Sequence, residues 1–162
     1  MTTTQTLSFP TEQELSQMPE EDRQLWQNKV LVYNFFTRII NKRDLTAADQ
    51  YLKEDYIQHN PGISTGREGF KAYFTNMFKS FSETMVHVEK ILAEGNEVVL
   101  YCEHHMVGRL ASLKMKTIDI FRLEDNLIAE HWDAVEGYGL KDHVLLSLQP
   151  KPNKGNSWYK VR

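Results

Sequence analysis

The sequence predicts one α+β domain, with helices first and a run of antiparallel strands after them. Three observations predict this. Apolar residues recur at spacings of three and four up to about Phe78, and in alternation after Ser82. The strand-like segments follow one another through short links, which favours antiparallel pairing. Helices segregated from such a run form the α+β arrangement, and 162 residues suit a single core.

In chain order, residues 1–10 are polar and threonine-rich, with a frayed start expected. Thr11 and Glu14 have capping-box spacing. Pro19 followed by Glu20, Glu21 and Asp22 marks a second helix start, because proline suits a first turn and acids suit the positive end of the dipole. Leu25, Trp26, Val30, Tyr33, Phe36, Ile39 and Ile40 then carry the helix to about Arg43. Asp44 or Thr46 can cap a short helix through Leu52. Residues 55–58 look extended, and His59-Asn60-Pro61-Gly62 is a turn, since proline drives the preceding residue out of the helical region. Ser64 or Thr65 can cap a third helix, with Phe70, Tyr73, Phe74, Met77 and Phe78 on one face.

Residues 84–94, 97–107, 113–123 and 127–135 are the four predicted strands. Gly95-Asn96 and Glu124-Asp125-Asn126 are hairpin signals between them. Residues 137–148 can form a last helical turn or two. The expected organisation is an N-terminal extension over 1–24, a domain over 25–148 and an irregular tail over 149–162. A curved antiparallel sheet wrapped on about three helices would be cone-shaped and enclose a pocket, the kind of concavity that ligands favour.

Composition excludes several classes. The net charge of −3 gives no global attraction to nucleic acid or to an anionic membrane. The longest apolar run, Val98 to Cys102, is far shorter than the roughly 20 residues of a spanning helix. A single cysteine, Cys102, forms no internal disulfide, so a reducing, cytoplasmic setting is expected. No Gly-rich phosphate loop, GxSxG elbow or Cys–His nucleophile pair is present, and no cofactor is expected. A metal site is not expected either: no HxxxH spacing occurs on a helix, and the neighbours His104 and His105 point to opposite faces of a strand.

Two segments together carry a resemblance. One is Tyr56-Ile57-Gln58-His59-Asn60-Pro61 followed by Gly66-Arg67-Glu68-Gly69-Phe70; the other runs from Asp119-Ile120-Phe121-Arg122 to Glu130-His131-Trp132-Asp133. Over about residues 25–136 the chain resembles the SnoaL-like polyketide cyclases, of the nuclear-transport-factor-two-like superfamily. The resemblance implies a cone-shaped fold, a deep pocket, and dimerisation through the outer sheet face. Activities among such relatives include aldol-type cyclisation, ketosteroid isomerisation, dehydration and epoxide hydrolysis, and some relatives have none. Many relatives carry histidines where this strand has Tyr101 and Glu103.

Asp133 is the first catalytic candidate. It ends the last strand on the same face as His131, and an Asp in an apolar cup is a stronger base. The resemblance implies an acid near this point. The alternative is a rim Asp that caps a helix or pairs with an Arg. His59, before the Pro-enforced turn, is the second candidate, as a donor to a substrate carbonyl. Asp119, a carboxylate in an apolar strand, is the third, pairing either with Asp133 or in a plain cross-strand contact. Tyr33, Phe36, Tyr56, Asn60, Phe74, His131 and Trp132 are expected to line the pocket. Tyr101, Glu103 and His105 share one strand face and are included too, although alternation leaves open which face points inward.

The expected function is cofactor-independent proton abstraction from a small hydrophobic carbonyl compound, giving cyclisation or isomerisation. Asp133 would be the base, with His59 and Tyr101 stabilising the enolate. Epoxide hydrolysis by paired Asp residues and ligand binding without turnover are the alternatives. A homodimer is expected in each case.

Overall fold

The computed structural model describes residues 7–109, 112–148 and 152. Its elements are α1 (Glu12–Ser16), α2 (Glu20–Lys42), α3 (Thr46–Tyr51), β1 (Leu52–Gln58), α4 (Arg67–Ser80), β2 (Phe81–Glu94), β3 (Glu97–Gly108), β4 (Ser112–Glu124), β5 (Leu127–Gly137) and α5 (Leu140–Ser147). This is the predicted α+β arrangement. The tail over 149–162 lies outside the described residues except for position 152. No helix among the described residues is long and apolar enough to cross a membrane.

The strands form a single five-stranded sheet in the order β1-β5-β4-β3-β2. β2 to β5 are a meander of antiparallel neighbours. Asp125 and Asn126 both have positive φ at the β4–β5 turn, the backbone that two-residue hairpins need to match strand twist. The extended segment expected at 55–58 starts earlier, at Leu52, and joins the sheet. It pairs parallel to β5, with Gln58 beside His131. Such a pairing links residues distant in sequence and leaves no local signal, so hydrophobic periodicity does not reveal it.

The helices cover one face. Val32, Phe35, Phe36, Ile39 and Ile40 of α2 are buried against Val86, Val88, Val98, Leu100 and Phe121 of the sheet. Burying a side chain of this kind contributes about 1.5–3 kcal/mol. Asn41 fixes the crossing: its amide accepts from Val86 N–H at 2.6 Å and donates to the Val86 carbonyl at 3.0 Å. α2 begins at Glu20, so residue 24 falls inside one helix. Phe9 packs back on α2 through Tyr33, with ring centroids 4.8 Å apart. At α4 the cap differs from expectation. Gly66 is the N-cap, with φ +82°, while the Thr65 hydroxyl turns back to donate to the Tyr56 carbonyl.

Candidate functional site

Strand alternation decides which side chains meet in the interior. On β3, Val98, Leu100, Cys102, His104 and Met106 point inward and are buried. Tyr101, Glu103 and His105 therefore lie on the outer face, a correction to their expected place in the pocket. Glu103 there accepts from Tyr138 Oη and pairs with Lys116. His59 and Trp132 are likewise outside. Their rings stack at 4.7 Å, and His59 Nε2 lies 2.7 Å from Glu130. The turn at Asn60-Pro61 directs His59 away from the interior and Asn60 into it. Tyr33 faces the N-terminal segment instead of the cavity.

A cavity of about 90 Å³ lies between α2, α4, α5 and the inner sheet face. Its wall is mainly apolar, including Phe36, Phe70, Phe74, Met77, Met106 and Phe121. The polar groups gather at one end: Tyr56, Gln58, Asn60, His104, Thr117, Asp119, His131 and Asp133. No lysine or arginine is among the described residues lining it. Arg67 of the Gly66-Arg67 segment donates to the Leu52 carbonyl at 2.7 Å.

β-sheet register builds this polar end. Asp119 on β4 stands opposite Asp133 on β5, and His131 lies opposite Phe121 and beside Gln58 of β1. Asn60 N–H donates to Gln58 Oε1 at 2.9 Å, which fixes that atom as the acceptor. Gln58 Nε2 accordingly donates to Tyr56 Oη, also at 2.9 Å. His131 Nδ1, 3.0 Å from Gln58 Oε1, must then carry a hydrogen. Its Nε2 faces Asp119 Oδ1 at 3.1 Å, so one proton is held between imidazole and carboxylate. A buried carboxylate and imidazole tolerate burial when they are paired in this way.

Asp133 stands opposite Asp119, partly exposed. Asn60 Nδ2 donates to its Oδ2 at 2.5 Å. Burial pushes its carboxyl above the ordinary carboxylate range, and the charge of Asp119 adds to the shift. His131 and the Asn60 amide oppose it. Burial, together with Asp133 and Asp119, raises the Tyr56 phenol well above its usual value. Tyr56 thus stays a hydroxyl donor at any physiological pH.

Ligand atoms of Asp119, His131 and Asp133 lie within 4.8 Å of one another, as do those of Cys102, His104 and Asp119. That spacing would suit an ion. The imidazole nitrogens of His131 and both oxygens of Asp119 are instead engaged with protein partners. The arrangement can hold and move protons beside an apolar ligand.

The SnoaL-like polyketide cyclase family model matches residues 30–143. The chain belongs to that family. Solved structures agree on the fold of this family member. TsrD from Streptomyces laurentii is 23% identical, covers 76% of this chain and 93% of its own, and superposes with a TM-score of 0.62. An LEH-like epoxide hydrolase from M. tuberculosis is 17% identical over 70% of this chain and 85% of its own, with a TM-score of 0.61. A proposed SnoaL-like polyketide cyclase from Jannaschia is 17% identical over 80% and 94%, with a TM-score of 0.62. No functionally curated protein sequence matches.

Gln58, Thr117 and His104 are site residues that the sequence reading missed. The segment Tyr56-Ile57-Gln58 held a signal for the first, since alternate residues of an extended strand share a face. Thr117 is two residues from Asp119 and shares its face by the same rule.

Proposed function

We propose that this chain abstracts a proton from carbon next to a carbonyl in a small hydrophobic substrate, without a cofactor. Aldol-type ring closure or isomerisation would follow. The observation that carries the reading is the half-buried Asp133 carboxylate at the polar end of an apolar cavity, with its proton affinity raised. A general base works best when its pKa approaches the working pH.

In this mechanism the substrate C–H bond breaks and its proton passes to Asp133. The electron pair forms the enolate, whose oxygen carries the developing charge. Tyr56 is the donor best suited to that oxygen. It accepts from Gln58 Nε2, which leaves its own O–H available, and its raised pKa keeps it protonated. It takes the role that the sequence assigned to His59 and Tyr101. In isomerisation Asp133 returns the proton at a different carbon. In ring closure the enolate carbon attacks a second carbonyl, and the resulting alkoxide takes up the proton.

Epoxide hydrolysis is a second reading, favoured by the cross-strand placement of Asp119 opposite Asp133. The paired acids would activate water and protonate the leaving oxygen. One experiment separates the readings: α-proton exchange of cyclohexanone in D2O, followed by NMR beside hydrolysis of cyclohexene oxide. The first reading expects exchange above the protein-free rate, lost in Asp133→Asn. Hydrolysis without exchange would favour the second. Neither activity, with both compounds still bound, would point to a binding module.

We also propose a homodimer formed through the outer sheet face. Ile118 on that face is 48% exposed, and Tyr101 and Ala134 flank it across the neighbouring strands.

A further inference from the structure

The hydrogen bonds around Asp119 continue beyond the groups used above. Thr117 Oγ1 is 2.5 Å from Asp119 Oδ2 and 3.0 Å from His104 Nε2. All three residues are buried, and all three line the cavity. A threonine hydroxyl has one hydrogen and can also accept. Between these neighbours it has two orderly arrangements. In one, His104 Nε2–H donates to Thr117, which donates to the Asp119 carboxylate. In the other, protonated Asp119 donates to Thr117, which donates to a bare His104 Nε2.

We propose that Thr117 is the switch of a proton wire joining His104 to Asp119, which makes His104 a second proton-exchange group of the site. The transfer balances. A doubly protonated His104 gives its Nε2 proton to Thr117 Oγ1 as the Thr117 hydrogen passes to Asp119 Oδ2. A cation and an anion become two neutral groups, and Thr117 ends with one hydrogen as it began. His131, 3.1 Å from the other Asp119 oxygen, experiences the change directly. The role of the wire rests on the proton-transfer reading: Asp133 would serve the carbon end of the substrate while the wire adjusts the proton count at the other end.

Apart from Thr117, His104 sits among mostly apolar neighbours. Asp119 and Cys102 are the titratable groups grouped with it. α2 presents the edge of Phe36, with ring centroids 5.8 Å apart, and Val86 is its register partner on β2. Burial lowers the His104 pKa while Asp119 raises it, so the neutral ring is favoured and the proton is readily handed on. His104 and Thr117 act through Asp119 and are positioning residues in this scheme.

The test needs no turnover. Protein labelled with 15N-histidine is titrated by NMR as wild type, Thr117→Ser and Thr117→Val. In wild type the His104 and His131 nitrogens are expected to report the same apparent steps, as interacting groups do. Thr117→Ser keeps that behaviour. Thr117→Val moves the His104 step by about one pH unit or more and removes its echo at His131. A single His104 step in wild type with His131 unmoved would overturn the wire, and so would wild-type curves in folded Thr117→Val. If the valine variant does not fold, the wild-type curves still decide. Ketone exchange in the absence of coupled titration would sink the wire alone; coupled titration without exchange would sink only the proposed function.

Discussion

Asp119 and Asp133 face one another across β4 and β5, yet the fold treats their charges in opposite ways. Asp119 receives the Thr117 hydroxyl and faces the His131 imidazole, and is almost fully enclosed. Asp133 has the Asn60 amide and an apolar wall. The two like acids thus stand in unlike surroundings: hydrogen-bonding partners face both oxygens of Asp119, while Asp133 meets an apolar wall.

The raised pKa of Asp133 has a definite sign in stability. A carboxyl that binds protons more tightly when folded loses stability as pH rises from the unfolded value, ~3.9, through its folded value. Asp133→Asn is therefore expected to hold or raise the melting temperature at pH 7 relative to wild type, with the advantage fading toward pH 4. Thermal melts across that range check this. A variant less stable than wild type at pH 7 alone would contradict it.

Asp119→Leu should behave differently. It removes one partner of a buried pair and leaves His131 Nε2 without its carboxylate, while Thr117 keeps only His104. The expected loss is about 3–5 kcal/mol, measured by urea denaturation at pH 7. A loss below about 1 kcal/mol would mean that the pair contributes no more than a surface contact.

His59→Ala tests the outward placement of that ring. Cyclohexanone exchange should stay within about twofold of wild type, while stability falls by about 1 kcal/mol from the lost stacking on Trp132. A severe loss of exchange with intact folding would return His59 to the site.

Ile118→Asp would bring an unpaired charge into the proposed dimer face. Light scattering behind gel filtration should find a dimer in wild type and a monomer in the variant. A monomeric wild type at micromolar concentration removes the dimer proposal.

The sequence made the architecture legible because periodicity changes sharply near Ser82 and the hairpin turns carry residues suited to positive φ. It made Asp119, His131 and Asp133 legible because acids and histidine are unusual within apolar strands. It left Tyr101, Glu103 and His105 ambiguous, since a strand with polar groups on one face reads alike whether that face meets a cavity or water. Cys102 and His104 on the other face were the better guide: the more apolar row is the inner one. His59 shows a different failure, because a one-residue step at a turn exchanges the side chain that enters the cavity. Gln58 shares a strand face with Tyr56, but its contact with His131 depends on the parallel β1–β5 pair, which leaves no local signal.

That parallel pair has a consequence for synthesis. Gln58 and Asn60, which hold His131 and Asp133, precede them by 73 residues in the chain. The early residues leave the ribosome long before their partners exist. During that interval Asn60 has no carboxylate to hold and β1 has no neighbouring strand. A polypeptide stopped before β5 would contain most of the cavity wall but neither His131 nor Asp133, so the polar end of the cavity is the last part of it to be completed.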